Sequence, residues 1–376
     1  MDRRQFLAWL AGMATVLAVT PAQGSQRAPR QLLVIDLVGG NDSLNTFIPY
    51  RDPNYGRLRP TLGINDGIAI TEGLALHPAL APWQGWMEQG SLAIVQNVHY
   101  PQPSLSHFRS RDVWQSGEPV GTVSSGWLGR YLESIQAPTQ GAVFLGAEYP
   151  LALMGQQHHY LHLAPHLLNQ GSLRDQVLQQ LYAQRQDLPL AEEVRQTVMA
   201  SQMALRQIRQ ELGRRESIYP KSGVGTQLGW VGRLLRGGVP IVYVSFGGWD
   251  THTRQRERHQ SLLANLAEGV AALRTDLEQA GLSQQVTILI YSEFGRRPAE
   301  NGNQGTDHGT AGALALIRGS LRAGVYGGEP ALDSLQQGNL PMQVDFRQVY
   351  SEILTWLGAD PEQILGSRFQ PLGILI

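Results

Sequence analysis

The run Gln31 to Val38 is apolar almost throughout and stops on Gly39-Gly40-Asn41-Asp42, a pairing of covered strand and glycine turn that the rest of the chain must accommodate. A strand with one wet face alternates, whereas a continuous apolar run is covered on both faces, as in a parallel sheet. The pattern recurs at Ser91 to Val98, at Pro240 to Phe246 before Gly247-Gly248, at Gln285 to Tyr291 and at Gly312 to Ile317. Between Phe246 and Gln285, Leu262, Leu263, Leu266, Val270, Leu273 and Leu277 recur three or four apart, which is one face of a helix. Strand, helix, strand at this spacing is a βαβ unit, so the expected fold is α/β, an open and mainly parallel sheet flanked by helices. The 42 glycines agree with many tight turns at strand ends.

From about Ser172 to Gly237 the sequence turns polar and helical, with Gln-rich runs and charge groups such as Arg214-Arg215-Glu216. This stretch is expected to be a helical insertion or cap on a single domain covering residues 25–376. His158, His159, His162 and His166 fall just before it; no carboxylate accompanies them, and they read as a loop near the cap. A closing helix is expected from Asp345, a good N-cap, with Phe346, Val349, Tyr350, Ile353, Leu354 and Leu357 turned inward.

The chain begins Met1-Asp2-Arg3-Arg4-Gln5-Phe6-Leu7, then continues apolar to Val19 and reaches Pro21-Ala22-Gln23-Gly24. A membrane-spanning helix needs roughly 20 apolar residues; this run is shorter and broken by Gly12. It has the parts of a cleaved export signal, with an uncleaved anchor as the alternative, and the arginine pair resembles twin-arginine signals. Residues 1–24 are therefore expected to engage the twin-arginine export machinery, leaving a periplasmic or secreted protein with no stable membrane span. The absence of cysteine excludes a disulfide framework and a closed structural zinc knot, so stability must come from a core. A formal net charge of −1 with scattered Lys and Arg leaves no footprint for nucleic acid.

Four clusters of acidic residues and histidine follow apolar runs: Gly39-Gly40-Asn41-Asp42; Asp250-Thr251-His252 with His259 beyond; Ser292-Glu293-Phe294-Gly295-Arg296; and Thr306-Asp307-His308-Gly309. Ligands gather at the carboxyl edge of open α/β sheets, where these clusters would meet. Singly, an Asp there is often a helix cap and a lone His a structural hydrogen-bond donor. Together they offer carboxylates and imidazoles for one or two divalent ions, and that mixture suits zinc or manganese better than calcium.

Asp250-Thr251-His252 and Asp307-His308-Gly309-Thr310, with Gly39-Gly40-Asn41-Asp42-Ser43-Leu44-Asn45, Ser106-His107-Phe108, Gly126-Trp127-Leu128-Gly129-Arg130 and Ser292-Glu293-Phe294-Gly295-Arg296, resemble the exported bacterial family called domain of unknown function 1501. That family is itself similar to the alkaline phosphatase/sulfatase superfamily. The resemblance implies metal ligation by Asp42, by Asp250 with His252, and by Asp307 with His308. The superfamily usually has a further histidine beyond the Asp-His dipeptide, and none follows His308 here, so His259 or Glu293 substitutes or one ion binds alone. The resemblance also places a nucleophilic Ser or Thr at a helix start after an early strand. Ser106 fits that position and could equally be a plain cap; Ser104, Ser124 and Ser125 are the reserves. His107, Arg109 and Glu293 are expected around the metal or the substrate. The Cys/Ser-x-Pro-x-Arg motif of formylglycine sulfatases does not occur, which disfavours ordinary sulfatase chemistry.

The expected activity is metal-dependent hydrolysis of an anionic ester, small or polysaccharide-borne, with phosphate favoured over sulfate. An exported binding or assembly protein on the same fold is the alternative. A metallopeptidase is disfavoured because His-Glu-x-x-His is absent. For the export signal, lysines at both Arg3 and Arg4 should leave precursor in the cytoplasm, as cell fractionation would show; processed protein outside would count against the twin-arginine route.

Overall fold

The computed structural model describes residues 29–119, 123–137, 141–146, 149–156, 160–162 and 218–375, with isolated residues between 180 and 195. The N-terminal signal and most of the expected insertion lie outside the described residues. Strand β1 (Gln31–Leu37) is buried at every position. Its sequence neighbours alternate sides: Leu33, Ile35 and Leu37 enter one apolar cluster, Leu32 and Val34 the other. That period of two makes the sheet the middle of three layers.

The other strands of this sheet are β2 (Leu92–His99), β3 (Ala142–Leu145), β4 (Leu161–His162), β5 (Ile241–Phe246), β6 (Val286–Tyr291), β7 (Gly312–Ile317), β8 (Gly324–Tyr326) and β9 (Val344–Asp345). Their order is β8-β2-β7-β6-β1-β5-β3-β4, with β9 also on β2. β1 lies parallel between β5 and β6. Among the described strands of this sheet, only β7 runs against its neighbours. The apolar run of β7 gave no sign of its direction. The reason lies in the hairpin of Arg296–Glu300 with Thr306–His308, which leaves and re-enters at the carboxyl edge without a crossover. A strand that returns from the edge its predecessor reached must pair antiparallel.

Helices α1 (His107–Ser116), α2 (Trp127–Ser134), α3 (Gly223–Arg236), α4 (Gln255–Gln279) and α5 (Phe346–Leu357) cover the sheet. α4 buries Leu263, Leu266, Val270, Leu273 and Leu277 in one core cluster. α3, the end of the stretch expected as an insertion, joins that same core through Leu228, Val231, Leu234 and Leu235. On the opposite face α1, α2 and α5 pack Trp114, Trp127, Phe346 and Tyr350, with the Trp127 and Tyr350 rings stacked at 4.1 Å. α5 opens where expected, with Asp345 and Gln348 forming a capping box, and closes on Gly358 at φ +89°. No helix among the described residues is long and apolar enough to cross a membrane.

Two buried histidines set an acid limit on this core. Burial pushes His99 down to about 3 and His259 to about 4, against an ordinary 6.5. Their folded values lie below the unfolded one, so their contribution is whole above pH 6.5 and is lost as pH falls toward 4. Asp36 acts in the opposite sense, because burial raises it to about 7 and its ionisation weakens the fold as pH rises. Neither ring nitrogen of His99 has a hydrogen-bond partner among the described residues, so phenylalanine can replace it without orphaning a partner. Chemical unfolding of His99→Phe between pH 6 and 4 should show a slope shallower than wild type by about 1.4 kcal/mol per pH unit, one proton's worth. Parallel stability curves would show that His99 does not titrate on unfolding.

Candidate metal centre

Five chain segments meet at the carboxyl edge: the turns after β1, β5 and β6, the start of α1, and the Thr306–His308 side of the hairpin. Glycine permits the close approach. Gly39 has φ +127°, and a side chain there would put Cβ 2.4 Å from the Asp250 nitrogen. At Gly305 a Cβ would lie 2.1 Å from the His252 carbonyl carbon. Both positions bring one loop's backbone into contact with the next, which any larger residue prevents.

His107, His252 and His308 surround Asp250 there. The Nε2 atoms of His252 and His308 are 2.9 Å apart. Asp250 Oδ1 is 3.0 Å from His252 Nε2 and 3.2 Å from His308 Nε2, and its Oδ2 is 3.6 Å from His107 Nε2. The outer nitrogens point to oxygens: His308 Nδ1 donates to the Leu105 carbonyl at 2.9 Å, and His107 Nδ1 to Glu293 at 2.7 Å. His252 Nδ1 faces Asp307 at 3.5 Å. A proton held on Nδ1 leaves a lone pair on Nε2, so His107 and His308 present acceptor nitrogens toward Asp250. The ligand atoms of His107, Asp250 and His308 all lie within 4.8 Å of one another, close enough to hold one ion. Imidazole nitrogens with a carboxylate and no thiolate are a donor set for zinc or manganese.

Arg296 fixes this arrangement from beneath. Its buried guanidinium donates to the carbonyls of Gly40 (2.6 Å), Thr306 (2.8 Å), Trp249 (3.2 Å) and Gly39, and to Asp250 Oδ1 at 2.6 Å. Partial burial works against the Asp250 carboxylate, but the Arg296 guanidinium outweighs it and holds the group at about 2. The hydrogen bond to Glu293 raises His107, whereas burial lowers His308. Glu293 is itself fixed by the Gly39 and Gly40 N–H groups at 2.9 and 3.2 Å. The Phe294 ring packs against both His107 and His308, at 4.9 and 4.7 Å.

Of the residues expected at the site, Asp250, His252 and His308 are brought together, and His107 joins them more closely than its expected place around the metal. Asp307 sits behind His252, accepting a hydrogen bond from Asn301 at 3.0 Å. His259 is turned away, its Nε2 2.9 Å from Asn41 Oδ1 in a buried pocket. Asp42 is buried and bound by Arg59 through both oxygens, at 2.5 and 2.9 Å. Glu293 orients His107. Ser106 is exposed at the N-cap of α1, where its hydroxyl makes no capping bond, and lies between Leu105 and His107, both of which touch the cluster. Arg109 donates to the Pro119 carbonyl at 2.7 Å. Asp250 is no helix cap, since α4 begins only at Gln255 after Arg254 at φ +45°. Arg59 and Gln255 carry no sequence signal of a role; Arg296 was visible only as part of a motif.

No curated protein matches the chain by sequence. Solved structures to which it is similar include the lipoteichoic acid synthase LtaP from Listeria monocytogenes, at 8% identity and a TM-score of 0.40, covering 97% of this chain and 82% of that one. Another is a protein in the alkaline phosphatase superfamily from Vibrio parahaemolyticus, at 8% identity and 0.40, covering 98% and 78%. The phosphonate monoester hydrolase SpPMH from Silicibacter pomeroyi is similar at 8% identity and 0.40, covering 91% and 78%. By sequence, residues 74–371 match the family described as protein of unknown function (DUF1501), and the chain belongs to that family.

Proposed function

We propose that the protein is an exported, metal-dependent hydrolase of anionic esters, with His107, Asp250, His252 and His308 holding a zinc or manganese ion. The observation that supports this reading is the orientation of the imidazoles: their Nδ1 atoms are turned to Glu293, Asp307 and the Leu105 carbonyl, and their Nε2 atoms toward Asp250. Such outer partners fix ring and tautomer and raise ligand basicity, which a set of surface histidines has no reason to show. A bound ion at such a site supplies charge neutralisation for the transferred group and acidifies a coordinated hydroxyl or water.

The chain's own groups complete the site. Ser106 Oγ, unused as a cap and exposed, is the nucleophile in this reading. The first turn of α1 presents free backbone N–H groups to an anion, and the positive end of a 10-residue helix favours negative charge there. Arg109, on the same turn, is the expected substrate contact, and its guanidinium rests on the Pro119 carbonyl at 2.7 Å. Glu293 keeps the His107 proton on Nδ1. Phosphate is favoured over sulfate because the formylglycine motif is missing. The substrate is a small or polysaccharide-borne ester, and the route out of the cytoplasm is the twin-arginine machinery.

Two measurements test this. His308→Ala and Asp250→Asn should each release the metal, and the double variant should be little worse than either alone, because ligands of one ion act as a unit. Elemental analysis with thermal melts checks it; additive destabilisation with metal content unchanged would remove the metallohydrolase reading. Ser106→Ala should keep metal and melting temperature while turnover of phosphate mono- or diesters falls on the order of a thousandfold or more. Unchanged turnover would return Ser106 to a structural role. A metal-replete protein that hydrolyses neither phosphate nor sulfate esters would favour the binding-protein alternative.

A further inference from the structure

Asp42 stands at the end of the glycine turn after β1, a further carboxylate expected to ligate metal at this edge. Every atom it could offer is taken. Arg59 Nη2 donates to Oδ1 at 2.9 Å, Arg59 Nη1 to Oδ2 at 2.5 Å, and the Gln255 amide also donates to Oδ2. The guanidinium is occupied in turn by Asn45 Oδ1 at 2.6 Å and by the carbonyls of Pro298 at 2.8 Å and Arg297 at 3.2 Å. Gln255 cannot turn its oxygen to an ion, because that oxygen accepts from Thr251 at 3.0 Å and Thr306 at 2.6 Å. His259, the other candidate on this side, faces Asn41, whose amide donates to Thr46 at 3.0 Å. The Asp42 and Arg59 side chains are 1% and 0% exposed, against 45% for Asp250.

We infer that the centre takes a single divalent ion, on the Asp250 side, and that the Arg59 guanidinium permanently occupies the cation position beside Asp42. This rests on the metallohydrolase reading and narrows it from one or two ions to one. A buried carboxylate needs a partner of opposite charge, and an arginine fork supplies both hydrogen bonds and charge without exchanging with solvent. A divalent ion on Asp42 would have to displace that fork and leave a guanidinium buried without its carboxylate, a change that strongly destabilises.

The test uses the full mature chain, stripped with chelator and titrated with zinc alone, bound zinc being measured by elemental analysis after dialysis. Wild type should saturate at one zinc per chain. Asp42→Asn, and the double variant Asp42→Asn with Arg59→Met, which leaves no unpaired buried charge, should still bind one zinc with affinity reduced less than about tenfold, the lower limit for losing an outer partner of a ligand. Asp250→Asn should lose the site. Saturation at two zinc ions, or loss of bound zinc in the folded double variant, overturns the single-ion inference while leaving the metallohydrolase reading in place. No zinc bound by wild type overturns both.

Discussion

A guanidinium with no access to water must find an acceptor for each N–H it buries, and at the carboxyl edge of this sheet that requirement organises the loops. Arg296 reaches backbone oxygens of Gly39, Gly40, Trp249 and Thr306 from three separate segments, and its remaining reach goes to the one carboxylate among the histidines. A buried polar group left unpaired costs roughly 1–3 kcal/mol, so a guanidinium buried among these carbonyls holds them in place. The loops after β1 and β5 therefore have one mutual arrangement instead of several. Preorganisation of this kind matters for metal sites, whose ligands repel one another until the ion arrives.

Below that layer lies a second polar set that touches no ligand directly. Asp36 accepts from the Tyr243 hydroxyl at 2.8 Å, and Tyr243 meets Tyr291 hydroxyl to hydroxyl at 2.8 Å. Its carboxyl lies close enough to Glu293 to feel that charge. The edge is thus a stack of charged and polar groups inside an apolar sandwich, held by arginines at Arg59 and Arg296. Such networks are stable only when nearly complete, so they resist piecemeal change.

The sequence carried the sheet because burial on both faces writes itself as unbroken apolar runs, and β1, β2, β5 and β6 were readable from that alone. It carried Asp250, His252 and His308 because each follows such a run or precedes one at the same edge. It did not carry the direction of β7, since an apolar run looks alike in either sense and the decisive fact was a hairpin with mixed polarity. Nor could it distinguish Asp42 as an ion-pair partner from Asp42 as a ligand. An acid after a strand satisfies both descriptions, and its partner Arg59 lies on a short polar segment with no period to mark it. His107 was readable as part of a motif, but its place beside Asp250 depends on the path from β2 to α1, which turns on proline and serine residues with little pattern.

The hairpin that brings β7 home pairs Arg296 directly with His308. Successive residues of a strand face opposite ways, so a slip of one position would turn His308 outward and bring Asp307 in to face the arginine. One imidazole would be lost and a second carboxylate would enter, changing the donor set from three imidazoles and one carboxylate to two of each. Insertions or deletions of a single residue within 301–305, the tip that sets this register, should therefore alter which metals the edge prefers.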